Sequence, residues 1–237
     1  MTPMDSMSAL AVCGALDLTD AKEYVTVATE EFLAGLPDPA SLTQERRRGI
    51  IARYASVLEG NFIYWMTGAY LSAKTDEARA IILDNLREEI ADCHPGMMRR
   101  FAIAAQATPT EADAGAIYED LCNVRSFVGR LSSVPVILMM AFFEGLIQKF
   151  MPYLADLAAR QGSSEMEYTD VHGVCDIAHT AGLFRALNAE AADWPGDPAV
   201  EPATDPYDGV HLLKTLLETI VHGPGRNLSS TVTGSRR

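Results

Sequence analysis

The chain is short of positive charge, of histidine and of long apolar runs, and each shortage removes a class of protein. It has 19 lysines and arginines against 32 aspartates and glutamates, a formal net charge of −13. A field of that sign repels polyanions, so neither DNA nor RNA is expected as a partner. The one basic run, Glu45-Arg46-Arg47-Arg48, is too short to reverse this and reads as a solvated helix face. No stretch of ~18 consecutive apolar residues occurs, so no membrane-spanning helix is expected. The mildly apolar start, Met1 to Leu18, has no Lys or Arg ahead of its hydrophobic stretch, as a secretory signal would. The 4 cysteines (Cys13, Cys93, Cys122 and Cys175) form no Cys-x-x-Cys pair. They read as free thiols in a reducing compartment, and the cytoplasm is the expected location.

Strand patterns are also missing. Apart from the β-branched residues of Thr231 to Thr233, no run alternates with period two, which argues against a sheet. What is present is helical. Thr19-Asp20 caps a segment to Leu36, stopped by Pro37-Asp38-Pro39. Ser41 opens a long helix to about Leu71, and Thr75-Asp76-Glu77 opens a third that ends before Pro95. Met97 to Ala105 forms a short helix. Thr108-Pro109-Thr110-Glu111 caps the next, with proline near its first position. Val134-Pro135 starts an apolar helix reaching about Ala159, and a further one runs from Glu165 to about Ala189. A loop over Pro195 to Tyr207 leads to a last helix from Gly209 to Val221. With 48% hydrophobic and 22% charged residues, the chain suits one globular domain. The fold expectation is all-α, a single bundle of about seven or eight helices. An N-terminal extension (1–18) and a C-terminal tail (223–237) flank the helical domain (19–222).

Of the 5 histidines, two fall in His172-Gly-Val-Cys-Asp176-Ile-Ala-His179. Positions i, i+4 and i+7 stack on one helix face within two turns. Two imidazoles and a carboxylate on one stripe form half of a non-haem metal site. The other half needs carboxylates or histidines on otherwise apolar faces. Glu144 follows eight consecutive apolar residues, and a buried carboxylate costs several kcal/mol unless a partner or metal compensates it. Glu88 and Glu89 precede His94 by six and five residues. That is not same-face spacing, so convergence there requires a broken turn. Glu59 interrupts a largely apolar stretch and shares a face with Phe62, Ile63 and Met66. Asp208-Gly-Val-His211 repeats an Asp-x-x-His spacing but reads as a charged helix start. His222 reads as a C-terminal capping cation.

This ordered set (a Glu, Asn85-Leu-Arg-Glu88-Glu89 followed by His94, a lone Glu144, then His172-x3-Asp176-x2-His179) resembles the haem-oxygenase-like dimetal oxidases across roughly residues 40 to 190. The resemblance implies a haem-oxygenase-like helical fold that binds metal rather than haem. It makes His94, His172 and His179 the imidazole ligands, and Glu89, Glu144 and Asp176 carboxylate ligands. Glu88 stands as the alternative to Glu89, and Glu59 as a fourth carboxylate found in some members. Ferritin-like di-iron bundles carry Glu-x-x-His motifs, which this chain lacks.

The same resemblance implies two iron ions as cofactor, O2 as co-substrate and an external electron donor, with manganese or a mixed pair compatible with the ligand set. The reaction would be C–H desaturation, hydroxylation, cyclisation or N-oxygenation of a small molecule in natural-product biosynthesis. A small amino acid is the favoured substrate, with a fatty-acid-type oxidative decarboxylation or a metal-free binding role on the same fold as alternatives. Phe62, Met66 and Tyr70 are expected to line the site, and Arg125 or Arg185 to hold a substrate carboxylate. No protein partner is implied beyond a second copy in a homodimer.

Overall fold

A computed structural model describes residues 16–192, 194 and 205–224. Among them are eight α-helices, one 3-10 turn (Pro39–Ser41) and no strand. The helices are α1 (Leu18–Ala34), α2 (Gln44–Ser72), α3 (Asp76–Ala91), α4 (His94–Ala104), α5 (Glu111–Val128), α6 (Ser133–Arg160), α7 (Glu167–Ala191) and α8 (Asp208–His222). The all-α expectation holds. Residues 1–15, most of the loop before α8 and the tail from residue 225, including Thr231 to Thr233, lie outside the described residues.

Side-chain caps set the starts. Asp17, not Thr19-Asp20, caps α1, accepting from the amide of Thr19 at 2.7 Å. Ser41 does not open α2. Its hydroxyl is taken by the carbonyl of Asp38 at 2.7 Å, and Thr43 caps the helix instead. Thr75 caps α3. Thr110 and Asp113 form a reciprocal capping box on α5, which places Pro109 just outside the helix. Each such cap satisfies amides that the first turn leaves without partners.

Helix α6 is the central element. An 18-residue window in it has a mean hydropathy of 1.6, enough by length and composition to cross a membrane, yet 83% of that window is buried inside the fold. It packs against α1, α2, α7 and α8, so apolar residues on every face follow from being surrounded by protein. Val136 to Phe143 are buried without exception, and so is Glu144. Helix α7 packs on α6, α3 and α4. The ends of α7 and α3 are joined by Glu190, whose Oε1 accepts from the amides of Lys74 and Thr75 at 2.9 and 2.7 Å. A carboxylate at a helix N-terminus is favoured by the dipole; here it also fixes α3 alongside α7.

Candidate metal centre

On α7 the predicted stripe faces inward. His172, Asp176 and His179 are 6%, 1% and 4% exposed, whereas Val174 and Ile177 between them are 71% and 54% exposed. Over this stretch the helix therefore turns Val174 and Ile177 out and its ligand-type side chains in, the reverse of ordinary amphipathic packing. Such an inversion needs a compensating partner inside.

Two groups of ligand atoms meet there. In the first, Glu89, His94 and His172 place their ligand atoms within 4.8 Å of one another, all three buried. Glu89 Oε1 lies 2.7 Å from His94 Nδ1, and the two imidazole rings are 4.5 Å apart between centroids. The broken turn that this convergence requires is real. Helix α3 stops at Ala91, and Cys93 adopts a left-handed conformation, φ 55° and ψ 44°. Helix α4 then restarts at His94. Close to this turn a Cβ on Gly96 would sit 2.7 Å from the Cys93 sulfur, so the missing side chain leaves room for the kink. His172 donates from Nδ1 to the carbonyl of Tyr168 at 2.7 Å. A carbonyl can only accept, so Nε2 keeps the lone pair that a metal would use.

The second group is Asp176 and His179, with the Cys175 thiol beside them and Glu144 opposite on α6. His179 Nδ1 lies 3.7 Å from Glu144 Oε1 and 3.8 Å from Asp176 Oδ1. These separations are too long for hydrogen bonds, but short enough for one ion with bonds of about 2.1 Å to touch both partners. Glu144 Oε1, Asp176 Oδ2 and His179 Nδ1 are all buried with no hydrogen-bond partner. Buried polar atoms are normally satisfied, and three orphans on side chains of one buried cluster fit a cation. On that ground the residues present suit the metal that the fold implies.

The electrostatics agree. Burial first, then the neighbouring Glu144 carboxylate, push Asp176 up to about 9. Burial likewise raises Glu144. Burial would lower His179, but Glu144, Glu88 and Asp176 together outweigh it and carry the imidazole up to about 9. His172 is pushed down to about 4, chiefly by burial, and is a neutral imidazole near neutral pH. Without a metal, protons must balance the carboxylates.

Of the remaining residues singled out in the sequence, Phe62 lines the cavity that adjoins this centre. Glu59 is in neither of the two groups of ligand atoms. It is paired with Arg99 of α4, whose Nε donates at 2.8 Å. Met66 is fully buried in the core and Tyr70 packs against that core; neither lines the cavity. Arg125 lies on α5, its guanidinium 4.9 Å above the Tyr64 ring; α5 packs on α2 and α8, away from α3 and α7. Arg185 lines a separate surface cleft between α3 and α7, together with Asp84, Glu88, Cys175 and His179. His211 is bonded to the Tyr24 hydroxyl at 2.8 Å, outside the centre. The Cys175 thiol donates to Asp176 Oδ1 at 3.1 Å.

The cavity beside the ligands is narrow: about 20 Å³ is open to a water-sized sphere, room for about one water. Its walls are Leu58, Phe62, Met98, Phe143 and Ile147, with Tyr168 over His172. Among the described residues, no Lys or Arg lines it. Tyr168 and Met98 were not legible as site residues, although Tyr168 stands four residues before His172, the spacing at which a helical residue meets its neighbour.

Residues 51–200, well over half of the chain, match a family described as iron-containing redox enzymes. No curated protein matches the chain.

Proposed function

The chain belongs to the iron-containing redox enzyme family of haem-oxygenase-like fold, and on that premise we propose that it is an O2-dependent, non-haem diiron oxidase or oxygenase of a small organic substrate. The carrying observation is the set of three orphaned, buried ligand atoms on Glu144, Asp176 and His179 beside a second buried group, Glu89, His94 and His172. Two three-residue groups, one drawn from α3, α4 and α7 and the other from α6 and α7, support two ions rather than one.

Glu89, His94 and His172 would hold one iron ion and Glu144, Asp176 and His179 the other, and when bound the pair would supply electrons for O2 reduction, with an external donor to replace them. The protein's part is geometric. The Tyr168 carbonyl holds the proton on His172 Nδ1, so the imidazole presents Nε2. Buried Glu144 and Asp176 give negative charge without competing hydrogen bonds at Oε1 and Oδ2. The walls formed by Leu58, Phe62, Phe143 and Ile147 exclude water from the reacting segment.

Those walls support a substrate that presents an uncharged, apolar segment to the centre. An amino acid with an apolar side chain meets this, with its charged end toward solvent. A fatty-acid-type chain is the second reading, favoured by the lack of a cation in the lining among the described residues. A place in natural-product biosynthesis and a reducing, cytoplasmic setting complete the proposal; the free thiols Cys93, Cys122 and Cys175 support the latter.

Anaerobic Fe(II) titration tests the core of the reading. About two ions per chain are expected, and His172→Ala should lose at least one. Binding of fewer than about one ion, or a His172→Ala variant that binds like the parent, overturns it. Elemental analysis after aerobic reconstitution separates two irons from a manganese-containing pair. O2 uptake screened against amino acids and fatty acids then decides the substrate class.

A further inference from the structure

Glu88 and Glu89 are adjacent on α3, and each reaches a histidine of the centre. Their environments differ. Glu89 is buried within the first ligand group, whereas the Glu88 side chain is 59% exposed and opens into the surface cleft between α3 and α7. Its Oε2 lies 2.8 Å from His179 Nε2. The other nitrogen of the same ring, Nδ1, is the one that faces Glu144 and Asp176 and has no hydrogen-bond partner.

The two nitrogens of that ring therefore do different work. A carboxylate accepts a proton-bearing nitrogen, so the contact with Glu88 places a proton on Nε2. In the neutral imidazole the lone pair is then on Nδ1, on the side of the Glu144 and Asp176 carboxyl groups. This is the arrangement in which an outer carboxylate orients a metal-bound histidine.

We propose that Glu88 is a positioning residue and not a ligand: it fixes the tautomer and ring orientation of His179 so that Nδ1 is presented to the second ion. Glu88 meets the Nε2 end of the ring, and Glu144 and Asp176 meet the Nδ1 end. The partnership rests on the alignment of α3 with α7. Glu190 fixes it at one end, and Gly182 allows it midway, where an added Cβ would meet Ile81 Cγ2 at 3.2 Å. The proposal rests on the diiron reading above.

The test uses the full chain and its Glu88→Ala, Glu88→Gln and Glu89→Gln variants, titrated with Fe(II) and, separately, with Zn(II). The parent should take up about two ions, and Glu88→Ala should still take up two while its weaker site loses about 10–100-fold in affinity. Glu88→Gln keeps a carbonyl oxygen for the Nε2 proton and should stay within about threefold of the parent. Glu89→Gln should lose an ion. Nitrogen-15 NMR of the Zn(II)-loaded protein should find the His179 proton on Nε2 in the parent and in Glu88→Gln.

Three results overturn the proposal: Glu88→Ala affinities within about twofold of the parent, loss of one whole ion in Glu88→Gln, or a His179 proton on Nδ1. A parent that binds fewer than about one ion overturns the diiron reading itself, and that outcome is distinct because it precedes any change at Glu88.

Discussion

His94 Nδ1 sits 2.7 Å from Glu89 Oε1 although five residues separate them, a spacing that points side chains to different faces of an unbroken helix. The left-handed Cys93 between them (φ 55°) is what turns the chain back. Non-glycine residues reach that conformation at a cost of about 1–2 kcal/mol, and β-branched ones with more difficulty.

Cys93→Gly should therefore leave stability within about 1 kcal/mol of the parent and metal uptake unchanged. Cys93→Val should lower stability by about 1–3 kcal/mol and weaken binding at the Glu89–His94 group. Urea melts and metal titrations on the two variants check this. A Val variant that matches the parent would show that the turn does not hold His94.

Glu144 is 2% exposed and its carboxyl is raised by burial, against opposition from His179. In metal-free protein it is a burden. Glu144→Gln should raise the unfolding free energy of metal-free protein by about 1–2 kcal/mol near pH 8 while lowering metal uptake by one ion. Thermal melts with chelator and with saturating metal should move in opposite directions. Parallel shifts would argue that Glu144 is no ligand.

The pH dependence has a defined sign. Asp176 is raised from 3.8 to about 9 and His179 from 6.5 to about 9, so between about 6.5 and 9 the folded state binds more protons than the unfolded chain. Stability of the metal-free protein should then fall as pH rises through that window. His172, lowered to about 4, acts with the opposite sign but only below 6.5. Saturating metal should flatten the curve, because it holds the same groups deprotonated, and its binding should release protons. Melts from pH 6.5 to 9, with and without metal, and calorimetry in buffers of different ionisation enthalpy provide the check. A metal-free protein that gains stability across this range would contradict the charge balance.

Beneath the first group, the hydroxyls of Tyr54 and Tyr168 bond to each other at 3.0 Å, both buried. Tyr54→Phe should cost about 1–3 kcal/mol by leaving the Tyr168 hydroxyl unpaired. The double Phe variant should recover part of that loss. Metal affinity should not move in either, because His172 depends on the Tyr168 backbone. A change in affinity with Tyr54→Phe would show that the phenol pair reaches the ligands.

The α7 stripe was legible because its spacing lies within one uninterrupted helix, where sequence positions map directly onto a face. Glu144 was legible because its neighbours are apolar on every side. The pairing of Glu89 with His94 was readable only as a requirement: no glycine stands at position 93, so nothing local marked the left-handed turn. Glu59 shares its face with Phe62 and Met66, yet it stands at the margin of the bundle, where Arg99 of α4 meets it. The placing of Arg125 depends on which helices α5 packs against, a property of the assembled bundle that no single-helix pattern carries. Two helix starts were missed by two residues where another capping side chain stood nearby, Asp17 beside Thr19 and Thr43 beside Ser41.

His172 and His179 are held by partners of different kinds. The proton on His172 is bonded to the main-chain carbonyl of Tyr168, that on His179 to the side chain of Glu88. No point substitution can delete a carbonyl, whereas one base change can replace a glutamate. The orientation of His172 is thus insulated against mutation, whereas that of His179 is open to it. Divergence among chains of this design should accumulate at the cleft side of α3, around the second ion, sooner than around the first.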